Sequence, residues 1–233
     1  MNLTKRLYGE VEEPLCEVAK WDNDSYTAKP RVLFILKEPS IRKENNRNYN
    51  FRGSLEDKDW KKLGMWKLLA YCSEGLQAIG RGEQSPAFEK KTAEECKKLL
   101  KYSSYMNLKR FGAARSSDMS LVGLHAGLFW QLMLEEIRKV KPEIIVCCKT
   151  YSILKELVEC LSKLPEYVNR LGYAECGTIR DAGVEKVALW NWKEIGEKPM
   201  GVINVGHPAR KPHEKYFNDL MNLGREIWHL VNN

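Results

Sequence analysis

Apolar and polar positions alternate along this chain with two periods, and the change from one to the other marks its elements. Arg31-Val32-Leu33-Phe34-Ile35-Leu36 and Glu143-Ile144-Ile145-Val146-Cys147-Cys148 are short apolar runs, each preceded by Lys-Pro or just past it. Runs of this length, rich in β-branched residues and bounded by proline, predict strands buried on both faces. Ser103 to Leu108, Val184 to Trp192 and Val202 to Val205 predict further strands. Between them the period lengthens. Trp60, Leu63, Met65 or Trp66, Leu69, Leu76 and Ile79 share one helical face, and Gly80-Arg81-Gly82 ends that helix. Thr92 to Leu100 predicts a helix with a threonine cap and acidic residues in its first turn. Ser120 to Val140 predicts one long helix, Thr150 to Leu164 another, and residues 212 to 231 a terminal one with Pro212 near its first turn. Residues about 8 to 21 have the spacing of a short amphipathic helix. Residues 41 to 58 are polar and predict a long loop, the kind of segment that often carries function.

Strands alternating with helices imply βαβ units joined by right-handed crossovers. The expected fold is therefore α/β: one domain over residues 1–233, with a central, mainly parallel sheet of about four strands covered by helices on both faces. At 233 residues a second full domain would be cramped.

Bulk properties narrow the class. Hydrophobic residues make up 43% and charged residues 30%, the balance of a globular protein. No apolar run is long enough to span a bilayer, so no membrane partner is expected. Thirty-eight basic against 31 acidic residues leave a formal charge of +7, which permits an anionic partner without demanding one. The seven cysteines include no C-x-x-C pair, and the first residues lead into no apolar signal core. Both features fit a reducing cytoplasm. At least one of the neighbours Cys147 and Cys148 should be buried. There is no P-loop, no G-x-G-x-x-G and no G-x-S-x-G elbow, so nucleoside triphosphate, dinucleotide and serine-hydrolase chemistry find no motif here. Trp60, Met65, Trp66, Trp130 and Met133 fall at helical spacing and read as core.

The chemistry concentrates at strand ends. The first strand runs into Lys37-Glu38-Pro39-Ser40, and the last into Gly206-His207-Pro208-Ala209-Arg210. Proline cannot continue a ladder, so the chain turns at both places. In one parallel sheet these turns would put a carboxylate and an imidazole on the same rim, where open α/β sheets bind ligands. Asn107 closes the strand that follows the first helices.

This order of motifs resembles the uracil-DNA glycosylase superfamily. The likeness covers roughly residues 30 to 230: an apolar strand ending in an acidic residue and proline, a middle strand ending in Asn, a Lys-Pro-x-Ile-Ile-Val strand and a last strand ending in His-Pro. It implies a three-layer α/β/α sandwich that flips a base from DNA, or takes a nucleobase-containing ligand, and hydrolyses the N-glycosidic bond. Glu38 falls on the position of an Asp that activates or orients water. His207 falls on the histidine that stabilises the departing base as an anion. Asn107 matches the amide that reads the base edge. Phe51, with Tyr49 as its alternative, lies where the family stacks an aromatic on the base. Lys37 and Pro39 flank Glu38 in the same base-binding turn. Arg42, Lys109, Arg110, Arg210 and Lys211 lie in loops after strands and would meet DNA phosphates. No metal or other cofactor is implied, because hydrogen bonds stabilise the leaving base. Cys16, Cys72, Cys96 and Cys176 lack the close pair that an iron–sulfur cluster of some relatives requires.

Departures from the pattern matter. The family's Gly-Gln-Asp-Pro-Tyr becomes Leu36-Lys37-Glu38-Pro39-Ser40, the Ser after His-Pro becomes Ala209, and the loop after His207 has no leucine to wedge into a minor groove. Two other readings therefore stand beside a DNA glycosylase. One is a binding module of the same fold without catalysis, and the other is an α/β hydrolase acting on a small nucleoside-like ligand. His125 and His213 have weaker contexts than His207, and His229 in the terminal helix reads as structural.

Overall fold

A computed structural model describes residues 18–19, 28–37, 64–89, 91–109, 117–175, 186–208 and 212–233. Its strands are β1 (Val18–Ala19), β2 (Val32–Leu36), β3 (Ser103–Asn107), β4 (Ile144–Cys148), β5 (Leu171–Glu175), β6 (Lys186–Trp192) and β7 (Met200–Val205). Its helices are α1 (Gly64–Gly80), α2 (Ala93–Leu100), α3 (Met119–Leu128), α4 (Trp130–Val140), α5 (Tyr151–Leu161) and α6 (His213–Asn232).

The strands form one mixed sheet in the order β1-β3-β2-β4-β7-β6-β5. β3, β2, β4 and β7 run parallel to one another, with Leu36 beside Asn107 and Phe34 beside Val146. The expected four strands undercount the sheet. The two-residue β1 pairs antiparallel with β3 at one edge, and β6 and β5 extend the other edge antiparallel. Residues 18 and 19, expected in a helix, instead bond to the outer edge of β3, which satisfies backbone groups that β3 would otherwise expose.

Alternation along the strands builds two apolar layers. Val32, Phe34, Leu36, Ile144, Val146 and Cys148 face α1, α2 and α6. Leu33, Ile35, Ile145 and Cys147 face α3, α4 and α5. Helices cover both sides of the parallel strands, so every side chain of β2 and β4 is buried. This explains why both Cys147 and Cys148 are inside.

Local sequence explains the helix ends. Thr92 caps α2 in a reciprocal box: Glu95 N–H donates to the threonine oxygen, and the Glu95 carboxylate accepts from Thr92 N–H at 2.7 Å. The single helix expected over 120–140 is two. Phe129 leaves helical geometry at φ −118°, ψ 20° and serves as C-cap of α3 and N-cap of α4. Its buried ring packs on His125, with centroids 4.6 Å apart, and the weak helix former Gly127 lies two residues before it.

The connections set the layout of the sheet's carboxyl edge. α1 and α2 link β2 to β3 across one face, while α3 and α4 link β3 to β4 across the other. α1, which follows β2, and α5, which follows β4, pack on opposite faces, so the carboxyl ends of these adjacent strands form a topological switch point.

Candidate functional site

The rim at that switch point is built from strand ends. Because β3, β2, β4 and β7 are parallel, Asn107, Lys37, Lys149 and the Gly206-His207-Pro208 turn emerge along one edge of the sheet. Neighbouring strands are about 4.8 Å apart, which puts the ends of β2 and β7 about 10 Å apart with β4 between them.

Backbone bonds continue the β2–β3 ladder past the strands. Leu108 N–H donates to the Leu36 carbonyl and Lys109 N–H to the Lys37 carbonyl, both at 2.9 Å. Asn107 is half-buried and Leu108 is buried. His125 reaches the same place from α3, its Nδ1 lying 2.9 Å from the Leu108 carbonyl. Burial holds the His125 pKa below the ordinary value, the Leu108 carbonyl opposes that, and the Lys109 charge adds to it. The ring is therefore neutral near pH 7, and Nδ1–H donates to Leu108. His125 is thus a support of the rim strand, a role its sequence context did not reveal.

At the end of β4 the chain reverses at Lys149, which adopts the left-handed conformation at φ 62° and whose N–H donates to the Val205 carbonyl at 2.8 Å. Its side chain is exposed. Thr150, completely buried, donates its hydroxyl to the Ile35 carbonyl at 2.9 Å instead of capping α5. Sequence reasoning missed Lys149 and Thr150 as members of the rim. The available signal was their position, directly after a buried strand and before a helix.

Four of the sequence-predicted site residues lie on this rim: Lys37, Asn107, Lys109 and His207. Lys37 is only 7% exposed, so its side chain is buried. His207 is half-buried between the buried Gly206 and Pro208. Glu38, Pro39, Arg42, Phe51, Arg110, Arg210 and Lys211, with Tyr49, lie outside the described residues.

The thiols nearest the rim are unsuited to nucleophilic work. Burial pushes Cys148 up to about 12, with a hydrogen bond from Tyr216 opposing, and pushes Cys147 higher still. Both stay protonated at neutral pH. Among the described residues no group of three or more His, Cys, Asp or Glu side chains is placed to hold a metal ion. Nor is any described helix long and apolar enough to cross a membrane.

The rim combines a carboxamide at the end of β3, an imidazole at the end of β7 and lysines at the ends of β3 and β4. Such a set offers hydrogen-bond donors and acceptors to a polar heterocycle and positive charge to an anionic backbone. No protein-family model matches the chain, and no curated protein matches it.

Proposed function

We propose that the chain is a divergent protein of the uracil-DNA glycosylase type, a three-layer α/β/α sandwich around a four-stranded parallel core. In this reading it binds DNA carrying an altered base and hydrolyses the N-glycosidic bond. The observation that carries the reading is the parallel pairing of β3, β2, β4 and β7, which puts Asn107, Lys37 and His207 on one edge. These are the strand ends on which the resemblance depends.

The chemistry follows from the residue types. A base flipped toward the rim offers its edge to the Asn107 amide, which can both donate and accept. The bond from the sugar carbon to the base nitrogen breaks, and its electron pair leaves with the base. An N–H of His207 stabilises the resulting anion. Glu38 orients water toward the sugar carbon and accepts the proton that the water loses. Phe51 stacks on the base, and Lys109, with Arg42, Arg110, Arg210 and Lys211, holds phosphates.

The second reading, a non-catalytic module that binds nucleic acid or a nucleotide, is favoured by one specific observation. The motif residues before Glu38 and after Pro208 are replaced, and no wedge residue follows His207. Release of free uracil from single- and double-stranded oligonucleotides by wild type, Glu38→Gln and His207→Ala separates the two. Release that falls by orders of magnitude in both variants supports glycosylase chemistry. Oligonucleotide binding without release, unchanged in Glu38→Gln, supports the binding module.

A further inference from the structure

Beyond the end of α1 the chain turns at Gly82, whose φ of 74° suits glycine. It then runs without helix or strand through Gln84-Ser85-Pro86-Ala87 alongside α6. Pro86 keeps this stretch out of a helix. Phe88 pins its far end, with its ring 4.9 Å from Tyr71 and 5.7 Å from Phe217. Between the segment and the helix lies a half-open cavity of about 540 Å³, a volume that admits a small organic ligand.

Its floor is apolar and fixed. Phe217 and Met221 are buried, and α6 lies so close to α1 that a Cβ on Gly75 would run into Met221 and one on Gly224 would come within 2.6 Å of Leu76. Its walls are polar. Asn218, Asn222 and Arg225 lie along one side of α6, about 10 Å from first to last at 1.5 Å per residue. Gln84 and Ser85 line the opposite side. Arg225 ties the two walls together: one terminal nitrogen donates to Ser85 Oγ at 3.0 Å and the other to Asn222 Oδ1 at 3.2 Å. Those bonds take two of its five N–H donors and hold the guanidinium in place. No acidic residue lines the cavity.

We propose that this cavity binds a small organic acid, with its carboxylate on Arg225 and its polar body along the carboxamides of Asn222, Asn218 and Gln84. One planar guanidinium balances one carboxylate and matches its two oxygens, whereas a phosphate dianion would leave charge uncompensated. The cavity is separate from the rim and does not depend on the glycosylase reading.

The carboxylate has two natural sources, a free acid or the end of a peptide. Titration of ¹⁵N-labelled protein with the monoanions 4-hydroxybutyrate and N-acetyl-triglycine, each against its uncharged amide, distinguishes them. The expected result is saturable shifts confined to the amides of Ser85, Ala87, Asn218 and Asn222 with one or both acids, at least about tenfold weaker in Arg225→Gln. 4-Hydroxybutyrate alone would identify the free acid, and the acetylated peptide alone a chain end. Arg225 is exposed, so Arg225→Gln should keep its fold, checked by far-UV circular dichroism. Equal binding of acid and amide, no effect of Arg225→Gln, or no saturable shift with either acid overturns the proposal.

Discussion

Thr150 donates its hydroxyl to the carbonyl of Ile35, 2.9 Å away and 115 residues back in the chain. The bond ties the end of β4 to β2 at the switch point between the two strands. It also takes the threonine away from capping α5, whose first turn has no side-chain cap.

Thr150→Val should therefore destabilise the protein by about 1–2 kcal/mol, through the lost bond and a buried acceptor left short of a partner. The shape of the side chain is unchanged and α5 loses no cap, so helix content should stay constant. Urea unfolding should show a lower midpoint at the same slope. An unchanged midpoint would mean that the carbonyl is fully satisfied by the ladder and that the tie adds nothing.

His125 predicts a pH dependence. Its folded pKa is lowered, first by burial and then by Lys109, against the opposing Leu108 carbonyl. On acidification the unfolded chain therefore takes up this proton first, at about pH 6.5. Stability from this group is complete above that pH and declines as the pH falls through it toward the lower folded value. The urea midpoint should drop between about pH 7 and pH 5 in wild type. In His125→Asn, which keeps an N–H near the Nδ1 position for Leu108, the slope over the same window should be shallower.

Two glycines test packing against propensity. A Cβ on Gly80, the last residue of α1, would fall 2.5 Å from the Pro30 nitrogen and 2.7 Å from the Lys29 carbonyl oxygen. Backbone atoms cannot swing aside as a side-chain end can, so Gly80→Ala should cost about 1–3 kcal/mol despite alanine's better helix propensity. Gly127 in α3 has nothing within 4 Å of the same position. There the propensity term stands alone, and Gly127→Ala should add about 0.5–1 kcal/mol. Thermal unfolding of the two variants should move in opposite directions.

What could be read in advance follows from how self-contained each signal is. Val32–Leu36 and Ile144–Cys148 are continuous apolar runs because helices cover both of their faces, and such runs stand out. β5 does not: Leu171-Gly172-Tyr173-Ala174-Glu175 is an outer strand paired antiparallel with β6, and its residues mix sizes and polarities. The break at Phe129 is hidden because apolar spacing continues through it. At the rim, Asn107 and His207 could be picked out because an amide and an imidazole are conspicuous at the ends of apolar strands. Thr150 and His125 could not, since their partners, the carbonyls of Ile35 and Leu108, belong to distant backbone that only folding brings near.

The rim lysines supply a test of the nucleic-acid reading that is independent of catalysis. Lys109 follows β3, and the exposed Lys149 follows β4 on the same edge of the sheet. If DNA lies along that edge, each lysine that neutralises a phosphate releases counterions. Binding then weakens with salt by a slope of about 0.7–0.9 per contact on a double-logarithmic plot. Lys109→Gln and Lys149→Gln should each weaken binding of a fluorescein-labelled oligonucleotide at low salt and lower that slope by roughly one contact. Their effect should be the same for every sequence, because phosphate contacts carry no base information. Asn107→Ala should leave the slope unchanged and lose only the preference for an altered base. A slope that none of these substitutions changes would move DNA off this edge, and with it the role proposed for His207.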